Sequence, residues 1–436
     1  MKKALIIAYF FPPLGGAGVQ RTLKFVKYLP GEGVEPVVLT VKNPSYDAFD
    51  EKMLKEIDPG IKIFKAFSFE PSRIYNTLKK MLPRKKSKGG SAGGEYRPGF
   101  LNRIYNFIFI PDDKIFWGIF AFLKGISIVR REKIKVLYST SMPYSSHIAG
   151  LLLKKFTGLP WVADFRDPWA SNTYAAPATR LHDFLNKKLE AMVIKNADAV
   201  ISVTAPIVED FKRNYPKYSE KFRLITNGFD PADFENISGK IEDKFSVVHV
   251  GTIYGATRNP SGFLTAFDDF LSTEGVNPEL CRAIFAGNMD RYNLGVVEEK
   301  MKNFRHKSCF IQIPYIAHEE CIKLLYSSSV LLLVEGESKS LTGKVFEYLA
   351  AGRPILALAA ENSPVAELIR ETASGTVLEL TDSAKIKDCL LKLYADFKTR
   401  GLHDNKNFAL IKKFSRKELT KQLAEVINSL KGGNAG

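Results

Sequence analysis

The run Val330-Leu-Leu-Leu-Val334, with the loop and the segment Val345-Phe-Glu-Tyr-Leu-Ala-Ala351 that follow it, constrains this chain most. The apolar run reads as a buried strand, and the later segment has helical spacing that stops at Gly352. Arg353-Pro354 then leads into a second apolar run, Ile355-Leu-Ala-Leu358. Strand, loop, short helix and strand are the unit from which parallel α/β sheets are built. Thr342 and Gly343 open the helix, so its free N–H groups and positive dipole end suit an anion such as a phosphate. Glu347 lies one turn in, where a carboxylate could grip a diol such as a ribose. On spacing alone, an ordinary capped surface helix fits as well.

A chain of 436 residues is too long for one core and predicts two domains, with room for an insertion. Its apolar fraction of 45% and charged fraction of 25% argue against general disorder. Cys281, Cys309, Cys321 and Cys389 lack the spacing of a metal site or disulfide framework, which predicts reduced thiols in the cytosol. Met1-Lys-Lys3 before an apolar run imitates a signal peptide, but the run is short and ends in Pro12-Pro13. No apolar stretch reaches the roughly 20 residues needed to span a bilayer. A cytoplasmic protein, or one resting on a membrane from that side, is expected.

Lys3 to Phe11 reads as the first strand, followed by Pro12-Pro-Leu-Gly-Gly-Ala-Gly18, a helix over Val19 to Leu29, and a strand over Pro36 to Val41. Gly15 and Gly16 would let a ligand approach the backbone closely, although a tight turn needs glycine too. The rhythm resumes with the strand Lys135 to Thr140, a helix from Ser145 to Thr157, the strand Trp161 to Ala163 and the loop Asp164-Phe-Arg-Asp-Pro-Trp169. Both loops follow strand ends, where ligands bind in open α/β sheets. They nominate His147 and Asp164, against the plainer readings of a helix-start polar residue and a structural ion pair.

Asn227-Gly-Phe-Asp-Pro231 marks a turn and a domain boundary. The second domain opens with the strand Phe245 to Gly251 and a loop to Asn259, with Asn259 as cap and Pro260 as first residue of the next helix. Arg258 beside that helix start could hold a diphosphate bidentately. A final amphipathic helix spans Lys413 to Leu430. The expected division is 1–226, 227–412 and a terminal helix, 413–436.

Residues 75–135 interrupt this pattern. They hold fourteen basic and four acidic residues, a surplus of ten in a chain of formal charge +16. Lys88-Gly-Gly-Ser-Ala-Gly-Gly94 reads as a flexible linker, with Phe116, Trp117, Phe120 and other large apolar residues beyond it. Basic residues interleaved with aromatic ones suit an anionic lipid surface, most clearly over Lys79 to Lys88. Residues 115–129 read equally well as a core helix.

The string Glu337-Ser-Lys-Ser-Leu-Thr-Gly-Lys-Val-Phe-Glu-Tyr-Leu-Ala-Ala-Gly-Arg-Pro354 closely resembles the donor-sugar loop of family-four glycosyltransferases, retaining enzymes of the GT-B fold. The glycine turn from Tyr9 to Arg21, the loops after Thr140 and Ala163, and the Asn227-Gly-Phe-Asp linker resemble the same family. The resemblance implies two Rossmann-like doubly wound parallel-sheet domains facing an interdomain cleft, with the last helix returning to the first domain. It implies that Glu347 holds the nucleotide ribose, and that Leu341, Thr342, Gly343 and Lys344 line the donor with Gly15, Gly16 and Gly251. His147, Asp164 and Arg258 fall at catalytic positions; the family's usual basic pair becomes Thr252 and Arg258. One departure stands out: Lys339, eight residues before Glu347, occupies the place of the family's first carboxylate, with Glu337 and Glu335 the nearest acids.

The implied activity is transfer of a hexose from a nucleotide-diphosphate sugar, with retention, to a glycan or lipid-linked precursor of a cell-surface polysaccharide. The sequence has no Asp-x-Asp, HExxH or Walker motif and no Cys/His cluster. No metal or cofactor is therefore expected, and Arg258, Lys344 and backbone N–H groups would meet the diphosphate charge. A nucleotide-sugar epimerase of the same fold is the rival enzyme. A nucleic-acid-binding protein is disfavoured, because most of the charge is confined to one insertion and no binding motif accompanies it.

Overall fold

The computed structural model describes residues 1–46, 49–70, 109–171, 179–235, 237, 243–336, 341–399 and 406–431. The chain forms two compact units, Met1–Thr226 with Arg416–Gly436, and Asn227–Ser415.

The first unit holds strands β1 (Lys2–Ile7), β2 (Val34–Val41), β3 (Ile63–Ala66), β4 (Val136–Thr140), β5 (Trp161–Phe165), β6 (Ala199–Ser202) and β7 (Phe222–Leu224). They form a seven-stranded sheet in the order β3-β2-β1-β4-β5-β6-β7, with every pairing parallel. The second unit holds β8 (Phe245–Val250), β9 (Cys281–Ala286), β10 (Phe310–Ile313), β11 (Val330–Glu335), β12 (Ile355–Ala359) and β13 (Gly375–Leu378). Its six strands run β10-β9-β8-β11-β12-β13, again all parallel. Each sheet is wound outward from its first strand and then restarted on the other side. The strand order therefore reverses between β1 and β4, and between β8 and β11.

Side chains of a strand alternate between faces, and both faces of a parallel sheet are covered by helices. Val330, Leu332 and Val334 accordingly join one core with Leu356 and Leu358, while Leu331 and Leu333 join the opposite core with Ile355 and Ala357. This is why the strand at 330–334 reads as an unbroken apolar run.

Several expected boundaries shift. β1 ends at Ile7, although Tyr9 and Phe11 stay buried in the loop beyond it. β5 extends through Phe165, which puts Asp164 on the strand and not in the following loop. The last helix begins at Arg416: helical structure is interrupted between Lys412 and Arg416, where the Phe229 N–H donates to the Phe414 carbonyl at 3.2 Å.

The helix within the insertion spans Ile115–Glu132 and presents Trp117, Ala121 and Ile128 to the core, so for this face the core-helix reading holds. Two glycines set its approach to the helix Ser145–Thr157. A Cβ on Gly118 would lie 2.8 Å from the Ser145 carbonyl oxygen. A Cβ on Gly125 would meet Leu153 Cδ1 at 2.8 Å. Gly118→Ala meets rigid backbone and should destabilise the first unit by about 1–3 kcal/mol. Gly295 stands exposed in the helix Arg291–Lys302 with nothing within 4 Å of an added Cβ. There the same substitution should stabilise by about 0.5–1 kcal/mol through helix propensity. Thermal melts of the two variants should shift in opposite directions.

Candidate functional site

The strand order of the second sheet reverses between β8 and β11, and the carboxyl ends at such a point are where ligands bind in open α/β sheets. Gly251 follows β8 at φ 109°, and a Cβ there would fall 2.4 Å from Lys344 Nζ. Gly336 follows β11, and a Cβ on it would lie 1.7 Å from the Thr257 carbonyl oxygen. Only glycine lets these two loops close over each other. Into this space Lys344, first residue of the helix Lys344–Ala351, donates to the Thr252 carbonyl at 3.3 Å. Burial, and then the Arg258 charge, push the half-buried Lys344 down to about 8.

Arg258 was expected to meet the diphosphate charge with Lys344 and backbone N–H groups, with no partner of its own foreseen. Instead Glu335, the last residue of β11, holds it: Nε donates to Oε1 at 3.1 Å, and Nη2 donates to both carboxylate oxygens at 2.9 Å. Both side chains are buried, and the guanidinium lies 4.4 Å over the Tyr254 ring. Glu347 sits in the first helical turn, partly exposed, with Oε1 4.0 Å from His318 Nδ1. Thr342 accepts from the Val345 N–H at 3.3 Å, Gly343 caps the helix without a side-chain bond, and Leu341 packs on the core beneath. Lys339 lies outside the described residues, as do Lys79 to Lys88 and the linker Lys88 to Gly94.

At the matching edge of the first sheet, Gly16 at φ 90° caps the helix Ala17–Tyr28 without a side-chain bond, and Gly15 precedes it. Arg166 Nη1 donates to the Gly18 carbonyl at 2.6 Å, which draws the loop after β5 onto this turn. His147 and Asp164 both belong to this edge, but neither is open to solvent. Asp164 accepts from Arg21 Nε at 2.8 Å and Nη2 at 2.9 Å, from Tyr138 at 2.6 Å and from Thr140 at 3.2 Å. Burial alone would raise its carboxyl, but Arg21 outweighs burial and holds it below the usual carboxylate range. With both oxygens engaged, Asp164 acts as the structural half of an ion pair.

His147 Nδ1 lies 2.8 Å from Ser139 Oγ, which itself accepts from Trp161 Nε1 at 2.9 Å. Ser139 Oγ has one proton to give and a second lone pair to offer, so it can donate to Nδ1 or accept from it, while Nε2 has no hydrogen-bond partner among the described residues. His249 on β8 carries its proton on Nδ1, because that nitrogen faces the Leu332 carbonyl at 3.0 Å.

The amino-terminal 15–233 match the profile of the family described as Glycosyltransferase Family 4. No curated protein matches the chain in sequence. Among solved structures, Anabaena Alr3699/HepE in complex with UDP-glucose is 13% identical, with 99% of this chain and 100% of that chain covered and a TM-score of 0.65. Sucrose-phosphate synthase from Thermosynechococcus elongatus is 15% identical, covering 98% of both chains with a TM-score of 0.63. A putative UDP-N-acetylglucosamine 2-epimerase from Listeria monocytogenes is 12% identical, covering 98% and 96%, with a TM-score of 0.57. Two doubly wound parallel-sheet units of this kind are the GT-B fold. The chain belongs to glycosyltransferase family 4.

Sequence reasoning missed Arg21, Tyr138, His249, Asp233 and His318 as members of these edges. Glu335 alone carried a signal, being a charge that closes an otherwise apolar strand. Among the described residues no group of three or more His, Cys, Asp or Glu is arranged to hold a metal ion.

Burial lowers His147 to about 3, and burial followed by the Lys344 charge lowers His249 to about 3. The unfolded chain binds protons near pH 6.5 that these folded sites refuse, so stability is full above that pH and falls as pH drops toward 3. Each histidine should cost about 2 kcal/mol of stability between pH 7 and pH 5. Denaturant unfolding of His147→Gln and His249→Gln should show that much less acid sensitivity in each variant; an unchanged pH dependence would refute the assignment.

Proposed function

We propose that this glycosyltransferase takes a hexose from a nucleoside-diphosphate sugar, retains its anomeric configuration, and needs no divalent metal. The observation that carries this reading is the grouping of Lys344, Arg258, Glu347 and a helix amino terminus at the reversal point of the second sheet. Two cations beside the positive end of a helix suit a diphosphate, and a carboxylate one turn away suits the ribose diol. The UDP-glucose of the Anabaena complex is a donor of the same chemical kind.

In this mechanism Arg258, locked by Glu335, and Lys344, protonated at neutral pH, stabilise charge on the departing diphosphate. A phosphate oxygen then takes the acceptor's proton on the face from which the leaving group departs. No protein nucleophile is required, and the chain contributes orientation and electrostatics.

Lys344→Ala and Glu347→Ala should each weaken nucleoside-diphosphate binding roughly tenfold, the worth of one charge-assisted hydrogen bond. Arg258→Ala strands the buried Glu335, so Arg258→Lys is the better probe of the guanidinium fork. Turnover should survive EDTA, and the product should be a new glycosidic bond, not an epimerised nucleotide sugar. Unchanged titration calorimetry in all three variants would reject the site.

We also infer that the first unit rests on the inner face of an anionic membrane, where a lipid-linked polysaccharide precursor serves as acceptor. Trp117 takes no part in such docking, since it is buried edge-on against Tyr9 at 5.2 Å. The exposed side of its helix supports the reading: Phe120 is 39% and Leu123 55% exposed, with Phe67 and Phe69 exposed beside them. Lys114 pairs with Glu70 at 3.1 Å, so the described ends flanking 71–108 meet beside this aromatic face. No described helix is long and apolar enough to cross a membrane. Each basic residue near anionic lipid contributes about 1 kcal/mol, screened over roughly 8 Å. Neutralising Lys79, Lys80, Arg84, Lys85, Lys86 and Lys88 should abolish flotation with anionic vesicles, and Phe120→Ser with Leu123→Ser should weaken it. Equal flotation of parent and variants, or none by the parent at low salt, would reject membrane docking.

A further inference from the structure

We propose that His318 positions Glu347 for the donor ribose, and that Asp233 fixes His318 in that task. The inference rests on the reading of Glu347 as the diol-holding carboxylate. His318 opens the helix His318–Ser327, and its Nε2 lies 3.0 Å from Asp233 Oδ2 while Nδ1 faces Glu347 Oε1 at 4.0 Å. Asp233 closes the short turn Pro231–Asp233, just past the boundary where the second unit begins. The imidazole thus stands between two carboxylates from two separate segments, one of which is the donor candidate.

The chemistry of the ring decides what this arrangement does. Asp233 accepts a proton-bearing Nε2, so a neutral His318 turns the lone pair of Nδ1 toward Glu347 and repels it. A proton on Nδ1 reverses that, and the N–H then draws one Glu347 oxygen inward and leaves the other for the diol. Closure of the 4.0 Å gap is the expected response to a bound ribose, because such bonds tighten in the liganded state. The described charged partners of the ring are Asp233 at 3.0 Å and Glu347 at 4.0 Å; Glu319, Glu320 and Cys321 follow it on its own helix, and Lys344 opens the helix that carries Glu347.

Titration calorimetry with UDP and GDP, each beside its 2′,3′-dideoxy analogue, tests this in the full chain. His318→Gln should weaken binding of the natural nucleotides roughly tenfold and leave the dideoxy analogues unchanged. The same substitution should add nothing in a Glu347→Gln background, since residues acting as a unit are not additive. His318→Arg keeps a cation between the two carboxylates, so it should retain affinity while losing part of the weakening seen from pH 6 to pH 8. Equal loss for natural and dideoxy nucleotides would mark His318 as merely structural, and unchanged affinity in His318→Gln would remove it from the site. If Glu347→Gln also binds both nucleotide forms like the parent, the ribose reading itself falls; if only the His318 variants do, that reading stands and the positioning role falls.

Discussion

Every strand pairing in both sheets is parallel, and that constraint settles where chemistry can sit in this chain. A parallel pair cannot be joined by a tight hairpin; each connection crosses over a face and re-enters at the amino end of the next strand. All carboxyl ends of one sheet therefore lie along one edge. Where the strand order reverses, the crossovers leave in opposite directions and part above that edge. The loops after β1 and β4 and those after β8 and β11 inherit these positions. Glycines then set how closely the loops approach: Gly251 makes way for Lys344, and Gly336 for the backbone at Thr257.

Two buried ion pairs do different work at these edges. In the first unit, Arg21 bridges Asp164 to the carbonyls of Ile225 and Thr226, at 2.9 and 2.6 Å, and so ties the end of the unit to its core. All of that carboxylate's capacity is taken up by Arg21, Tyr138 and Thr140. In the second unit, Glu335 orients Arg258 at the strand end beside Lys344. A buried pair is not by itself a source of stability, but losing one partner leaves the other charge uncompensated. The first pair is a fastener, whereas the second holds a guanidinium in a fixed direction.

The fold was legible because parallel strands are buried on both faces and read as plain apolar runs. Val330 to Val334 and Ile355 to Leu358 are the clearest, and the helix Ser145–Thr157 was bounded correctly at both ends. Asp164 was misplaced because a charged residue looks like the start of a loop. Only the tertiary partners Arg21 and Tyr138 make it a strand residue. Trp117 was misjudged for the complementary reason: the insertion helix is apolar all round, so its pattern does not say which face packs. The ion pair of Arg258 with Glu335 joins residues far apart in the chain, and local spacing carries no trace of it. His318 was invisible as well, since a histidine opening a helix gains its meaning only from Asp233 and Glu347.

The departure at Lys339 becomes sharper once the partners of Glu335 are known. With a lysine at the position of the family's first carboxylate, Glu335 and Glu337 were the nearest acids that could take over. Glu335 is buried and both of its oxygens face Arg258, so turning it toward a sugar would leave a guanidinium buried without a counter-ion. The penalty for such an uncompensated charge is about 3–5 kcal/mol, more than a hydrogen bond to a sugar hydroxyl returns. Glu335 is therefore excluded as a substitute. Of the two nearest acids that leaves Glu337, which lies outside the described residues.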